Sequence, residues 1–173
     1  GGVIGLTASY FFAREGARVA LIDKGDLGRE ASWAGAGIIP PAGESPGQTP
    51  LDRLRAFSSR LYPDLSERLR EETGIDNGYH VCGGLELAAP GHELPVEAWR
   101  AEGIAFRELE GDALRAVAPD LSPVLPRAYH LPGMAQVRNP RHLKALIAAC
   151  QAGGVQLLPH RAATGFVCTG RRI

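Results

Sequence analysis

The chain opens Gly1-Gly2-Val3-Ile4-Gly5-Leu6, and a short way on it runs Arg18-Val19-Ala20-Leu21-Ile22-Asp23. Between these points Ile4, Leu6, Ala8, Phe11 and Phe12 recur at helical spacing, and Gly16 stands where a helix end takes a left-handed residue. Val19 to Ile22 is a continuous apolar run ended by an acid, the pattern of a buried parallel strand. The order is glycine turn, helix, strand, acid, which is most of a dinucleotide-binding βαβ unit. In the fingerprint G-x-G-x-x-G, Gly2 and Gly5 take the second and third glycine positions. The first glycine and its strand are then expected before residue 1. Gly2 would let the backbone approach a pyrophosphate, and Gly5 would let the helix pack on the sheet. The helix N-terminus would offer N–H groups and a positive dipole end to the anion. Asp23 follows Gly2 by 21 residues, close to the spacing of a ribose-binding acid, and a carboxylate there favours an unphosphorylated ribose.

Next comes Gly25-Asp26-Leu27-Gly28-Arg29-Glu30-Ala31-Ser32-Trp33-Ala34-Gly35-Ala36-Gly37-Ile38-Ile39-Pro40-Pro41. The small residues from Ala31 to Gly37 would let backbone lie against a flat ligand without obstruction by side chains. Trp33 and the Ile38-Ile39 pair do not suit a solvated linker.

Taken together, the opening glycine turn, the strand ending in Asp23 and the small-residue loop resemble the D-amino-acid oxidase family of FAD-dependent oxidoreductases. Within it, the glycine-oxidising branch linked to thiamine biosynthesis fits best. Tyr79-His80-Val81-Cys82-Gly83-Gly84-Leu85-Glu86-Leu87-Ala88 resembles the family's first strand pair of the substrate domain. Gln136-Val137-Arg138-Asn139-Pro140-Arg141-His142-Leu143 resembles the return to the cofactor domain. The fold implied is α/β: a Rossmann-like FAD-binding domain, a parallel sheet with helices, interrupted by a β-rich α+β substrate domain. The expected division is residues 1–77 and 138–173 for the FAD-binding domain and 78–137 for part of the substrate domain.

The resemblance also implies a cofactor site. Gly2, Val3, Ile4 and Gly5 would meet the FAD pyrophosphate through backbone at the helix start. Asp23, with Lys24 beside it, would hold the adenosine ribose. Ala31 and Ser32 would touch pyrophosphate or ribitol, and Ala36, Gly37 and Ile38 would run under the isoalloxazine. Ala163 would meet the adenine through its backbone. The activity implied is oxidation of a small amine or amino acid to an imine, with hydrogen peroxide as the second product. A carboxylate-binding Arg is expected in a C-terminal half that this chain lacks, so no catalytic residue is assigned here. Tyr129 and Arg138 are secondary candidates for reaching a substrate pocket.

Alternatives remain at this point. One is a flavin dehydrogenase of the same superfamily with an acceptor other than oxygen. Another is a non-catalytic flavin-binding fragment. An NAD-dependent dehydrogenase shares the glycine turn and acid but gives no reason for the small-residue loop or the β-rich middle.

Composition narrows the partners. The 173 residues carry 19 basic and 19 acidic side chains and no basic block, so no nucleic-acid partner is expected. No apolar run approaches the roughly 20 residues of a spanning helix. The three cysteines form no C-x-x-C pair, and the five histidines no ligand spacing, so no metal is expected. Free thiols in the core and a cytoplasmic location are expected, with assembly into a homo-oligomer conceivable for the family.

The middle reads as architecture. Leu51, Leu54, Phe57, Leu61, Leu65 and Leu69 form one apolar stripe, which Pro63 is expected to kink or split and Gly74 to end. Short helices are expected at 93–102 and 110–117, a strand pair at 127–137 and a strand at 164–168. Asn139-Pro140 predicts a helix start, with Asn139 as N-cap, and Val155 to Leu158 predicts a short strand.

Overall fold

The computed structural model describes residues 1–45, 47, 49–165, 167 and 170. In chain order the elements are α1 (Val3–Arg14), β1 (Ala20–Ile22), α2 (Ala31–Ala34), β2 (Ile38–Ile39), α3 (Pro50–Thr73), β3 (His80–Val81), β4 (Gly84–Leu87), α4 (Val96–Glu102), β5 (Arg107–Glu110), α5 (Gly111–Val117), β6 (Arg127–Leu131), β7 (Ala135–Gln136), α6 (Asn139–Ala152) and β8 (Gln156–Leu158). The chain folds into two compact units.

The first unit comprises Gly1–Gly37, Ser66–Gly78 and Arg138–Ile173. Its centre is the parallel pair β1 and β8, in register from Ala20 opposite Gln156 to Ile22 opposite Leu158. Parallel strands need a long crossover, and helices α1 and α6 lead into the two strands. These helices pack on each other. Leu6, Tyr10, Leu143, Leu146 and Cys150 are buried there, and the Cys150 thiol donates to the Leu6 carbonyl at 3.4 Å. The strand expected to be buried on both faces is not: Leu21 is buried, but Ile22 is 47% exposed. Side chains alternate along a strand, so Leu21 and Ile22 face opposite ways.

The second unit comprises Ile38–Leu65 and Tyr79–Val137. It holds two antiparallel sheets, ordered β2-β7-β3 and β4-β6-β5. The chain turns from β3 into β4 through Gly83, whose φ of 69° favours glycine, so the glycine pair separates two strands in different sheets. Residues 38–65 pack with this unit and not with 1–37, which differs from the expected division. The reason is pairing: β2 bonds antiparallel to β7, Ile38 opposite Gln136 and Ile39 opposite Ala135. Strand β5 gave no periodic signal in sequence, because Arg107-Glu108-Leu109-Glu110 has one apolar residue. It is held by full pairing with β6.

Further expectations change. Helix α3 runs unbroken through Pro63. Proline lacks an N–H and displaces the carbonyl four residues earlier; Pro63 sits on an exposed face, where water can serve that carbonyl. The apolar stripe of α3 is buried at Leu65 and Leu69, but Leu51, Leu54 and Phe57 are 62, 63 and 58% exposed. Helix α6 takes Arg138 as its N-cap in extended conformation, with Asn139 already helical. Its buried face otherwise follows the predicted period, with Leu143, Leu146 and Cys150 inside. Cys82, expected in the core, is exposed. Thr164 and Gly165 lie in no strand, and Phe166, Cys168 and the final three residues are outside the described set.

Candidate cofactor site

The glycine turn is the N-terminus of α1. Gly2 is its N-cap, extended at φ −80° and ψ −174°, and the Leu6 N–H closes the first turn on the Gly2 carbonyl at 2.9 Å. The first N–H groups of any helix lack partners within it. Here one is supplied from a distance: the Val3 N–H donates to Ser32 Oγ at 2.9 Å. Ser32 belongs to α2, so the small-residue loop is fastened to the helix start. A Cβ on Gly2 would come 2.8 Å from Ser32 Oγ, and one on Gly5 3.3 Å from the Leu21 methyl. A side chain at Gly2 would strike Ser32, and one at Gly5 would crowd the Leu21 methyl. Ile4 is 83% exposed, so the helix end is open to solvent.

Asp23 follows β1 directly and turns back to this end. Its Oδ2 lies 2.9 Å from the Gly1 nitrogen, and its Oδ1 accepts from the Gly25 N–H at 2.8 Å. The Gly25 N–H holds the carboxyl below the usual carboxylate range. Lys24 reaches Glu30 at 3.3 Å on the surface.

The segment after β8 is tied to the same turn. The Arg161 N–H donates to the Asp23 carbonyl at 2.7 Å, and the His160 N–H donates to the Gly25 carbonyl at 3.2 Å. Ala163 follows two residues later and is exposed. Ala31, Ala36 and Gly37 also lie in the first unit, Ala31 and Ala36 exposed, whereas Ile38 opens β2 of the second and is 63% exposed. The structure therefore gathers Gly2, Val3, Ile4, Gly5, Ser32 and Asp23 around one helix end, with Lys24 adjoining Asp23. A helix N-terminus, the positive end of the dipole, suits a pyrophosphate, and a carboxylate beside it suits a ribose hydroxyl. A dinucleotide fits these residues.

Tyr129 is not free to serve a pocket. It is buried against Trp99 and Phe106, with ring centroids 5.9 and 5.8 Å away, and its hydroxyl meets Glu108 at 3.4 Å. Arg138 caps α6, and its side-chain stem lies against Gly78. Two features escaped the sequence reading. One is the Ser32–Val3 tie, which spans 29 residues and leaves no periodic trace. The other is a buried polar chain in the first unit: Asn77 Nδ2 donates to Ser66 Oγ at 2.9 Å and lies 3.1 Å from His142 Nδ1. Burial pulls the His142 imidazole down to about 4. Among the described residues no His, Cys, Asp and Glu cluster could hold a metal, and no helix is long and apolar enough to cross a membrane.

The DAO family, described as FAD dependent oxidoreductase, matches residues 1–173. The chain belongs to this family of FAD-dependent oxidoreductases. A glycine oxidase of Pseudomonas putida is 37% identical over 169 residues, covering 96% of this chain and 46% of that protein. The bifunctional protein ThiO/ThiG of Trichormus variabilis is 29% identical over 160 residues, covering 91% of this chain and 24% of its own length. The crystal structure of glycine oxidase from Geobacillus kaustophilus superposes with a TM-score of 0.79 at 34% identity, covering 92% of this chain and 45% of that one. The chain thus spans about half the length of the glycine oxidases it matches.

Proposed function

We propose that this chain is the FAD-holding part of an oxidase that acts on glycine or another small amine or amino acid. The observation that carries the reading is the convergence of the Val3 N–H, the Ser32 hydroxyl and the Asp23 carboxylate on one open helix end. The likeness to glycine oxidases at 37% identity supports the substrate class. In this reading the N–H groups of the first turn of α1 bind the pyrophosphate, Gly2 leaves room for it, and Asp23 orients the adenosine ribose. Ala36, Gly37 and Ile38 present backbone to the flavin ring without side-chain obstruction. FAD held there would supply a two-electron acceptor for oxidation of a substrate Cα–H bond, with dioxygen as the final oxidant. Likeness to a ThiO/ThiG protein supports a place in thiamine biosynthesis. The free thiols of Cys82 and Cys150 accord with a reducing cytoplasm.

The test uses the full-length protein. It should purify yellow, release FAD on denaturation, and convert glycine to glyoxylate and ammonia with one peroxide formed per turnover. Gly2→Val should abolish flavin retention while leaving the circular dichroism spectrum intact. A colourless native protein that takes up no added FAD would overturn the reading. Flavin bleaching by glycine without peroxide would instead favour a dehydrogenase.

A further inference from the structure

The small-residue loop rests on α6 at two glycines. Gly28 is buried at φ 68°, and a Cβ on it would lie 3.2 Å from Leu143 Cδ2 and 3.4 Å from Leu143 Cβ. A Cβ on Gly35 would lie 2.6 Å from Asn139 Nδ2. Asn139 and Leu143 are one turn apart, so they stand on one face of α6. Gly28 needs glycine for its left-handed backbone alone. Gly35 does not: its φ of −63° and ψ of 151° suit any residue, so what a side chain lacks there is room. The contact also has a reason in strand pairing. Ile38 stands opposite Gln136 and Ile39 opposite Ala135. Counted back three residues, the same antiparallel register puts Gly35 opposite Asn139. Gly28, Gly35, Asn139 and Leu143 all lie in the first unit. Ser32, between the two glycines, is tied to α1. The loop is thus held from two sides, by α1 at Ser32 and by α6 at Gly28 and Gly35.

We infer that Asn139 is a positioning residue for the cofactor: with Leu143 it forms the seat that sets where the Ala31–Gly37 backbone lies, and glycine at position 35 lets the loop settle on it. The inference rests on the FAD reading for what the loop carries, and on the contacts alone for the seat.

Gly35→Val in the full-length protein tests it, alone and combined with Asn139→Ala, which removes the carboxamide that valine would strike. The readouts are FAD affinity of the apoprotein, by flavin fluorescence on titration, and the urea midpoint. Gly35→Val should weaken FAD binding at least tenfold, and adding Asn139→Ala should recover most of that loss. Independent packing defects add, so a double variant that binds FAD no better than Gly35→Val would overturn the inference. Wild-type affinity in Gly35→Val would overturn it too. Should Gly35→Val fail to fold, Gly35→Ala takes its place, with a smaller loss and the same recovery expected. A wild-type protein that takes up no FAD would overturn the cofactor reading instead. The seat is then judged by the urea midpoint, which the double variant should raise above that of the Gly35 variant; no rise would overturn the seat as well.

Discussion

Ser32 shows what one side chain can do here. Its hydroxyl accepts from Val3 at the start of a helix 29 residues earlier, so it caps α1 from outside. Losing a helix cap costs about 1 kcal/mol. Ser32→Ala should therefore lower unfolding stability by about that amount in urea titration, and Ser32→Thr should restore most of it. Because the same contact fastens the small-residue loop to the helix end, Ser32→Ala should also weaken FAD binding to the full-length protein, read by flavin fluorescence on dilution. An unchanged stability would show that water caps Val3 equally well.

At the scale of elements, α6 is the member whose sequence and burial agree best. Leu143, Leu146 and Cys150 recur at helical spacing and are 2% exposed or less, while Lys144 between them is exposed. A buried Leu cut to Ala costs 2–5 kcal/mol, the spread reflecting how far the cavity collapses. Leu146→Ala should fall in that range by chemical denaturation, because packing from α1 fixes its surroundings; Lys144→Ala should change stability by less than about 0.5 kcal/mol. Helix α3 is the opposite case. Its stripe is as regular as that of α6, yet Leu51, Leu54 and Phe57 stay exposed. Periodicity reports which residues share a face; whether that face is covered depends on what packs against it.

The whole molecule carries a pH dependence through His142. The ring is 2% exposed beside Asn77, and burial holds its basicity down to about 4 against an ordinary value near 6.5. The unfolded chain binds a proton between those limits while the native fold does not, so unfolding becomes easier as pH falls. Stability is therefore full above about pH 6.5 and declines toward pH 4, by roughly 3 kcal/mol if the whole shift is expressed. Urea midpoints measured across pH 4 to 7 should show this slope, and His142→Gln, which keeps a polar partner for Asn77, should flatten it. A parallel slope in both proteins would assign the effect to carboxylates other than Asp23, whose depressed basicity loses stability only at still lower pH.

The amino-acid order alone determined the glycine turn, α1, the strand ending in Asp23, the α6–β8 unit and the family resemblance. These are local patterns, set by helical period, strand alternation and the stereochemistry of glycine and proline. Strand β5 was invisible because its polar residues are held by backbone pairing with β6, which no periodicity records. Only the tertiary structure moved residues 38–65 into the second unit, buried Tyr129 among aromatic rings, exposed Cys82, and brought Ser32 to Val3 and Asp23 to Gly1. Each of those outcomes depends on two segments far apart in sequence meeting in space. A pattern within either segment fixes its own conformation and cannot name its partner.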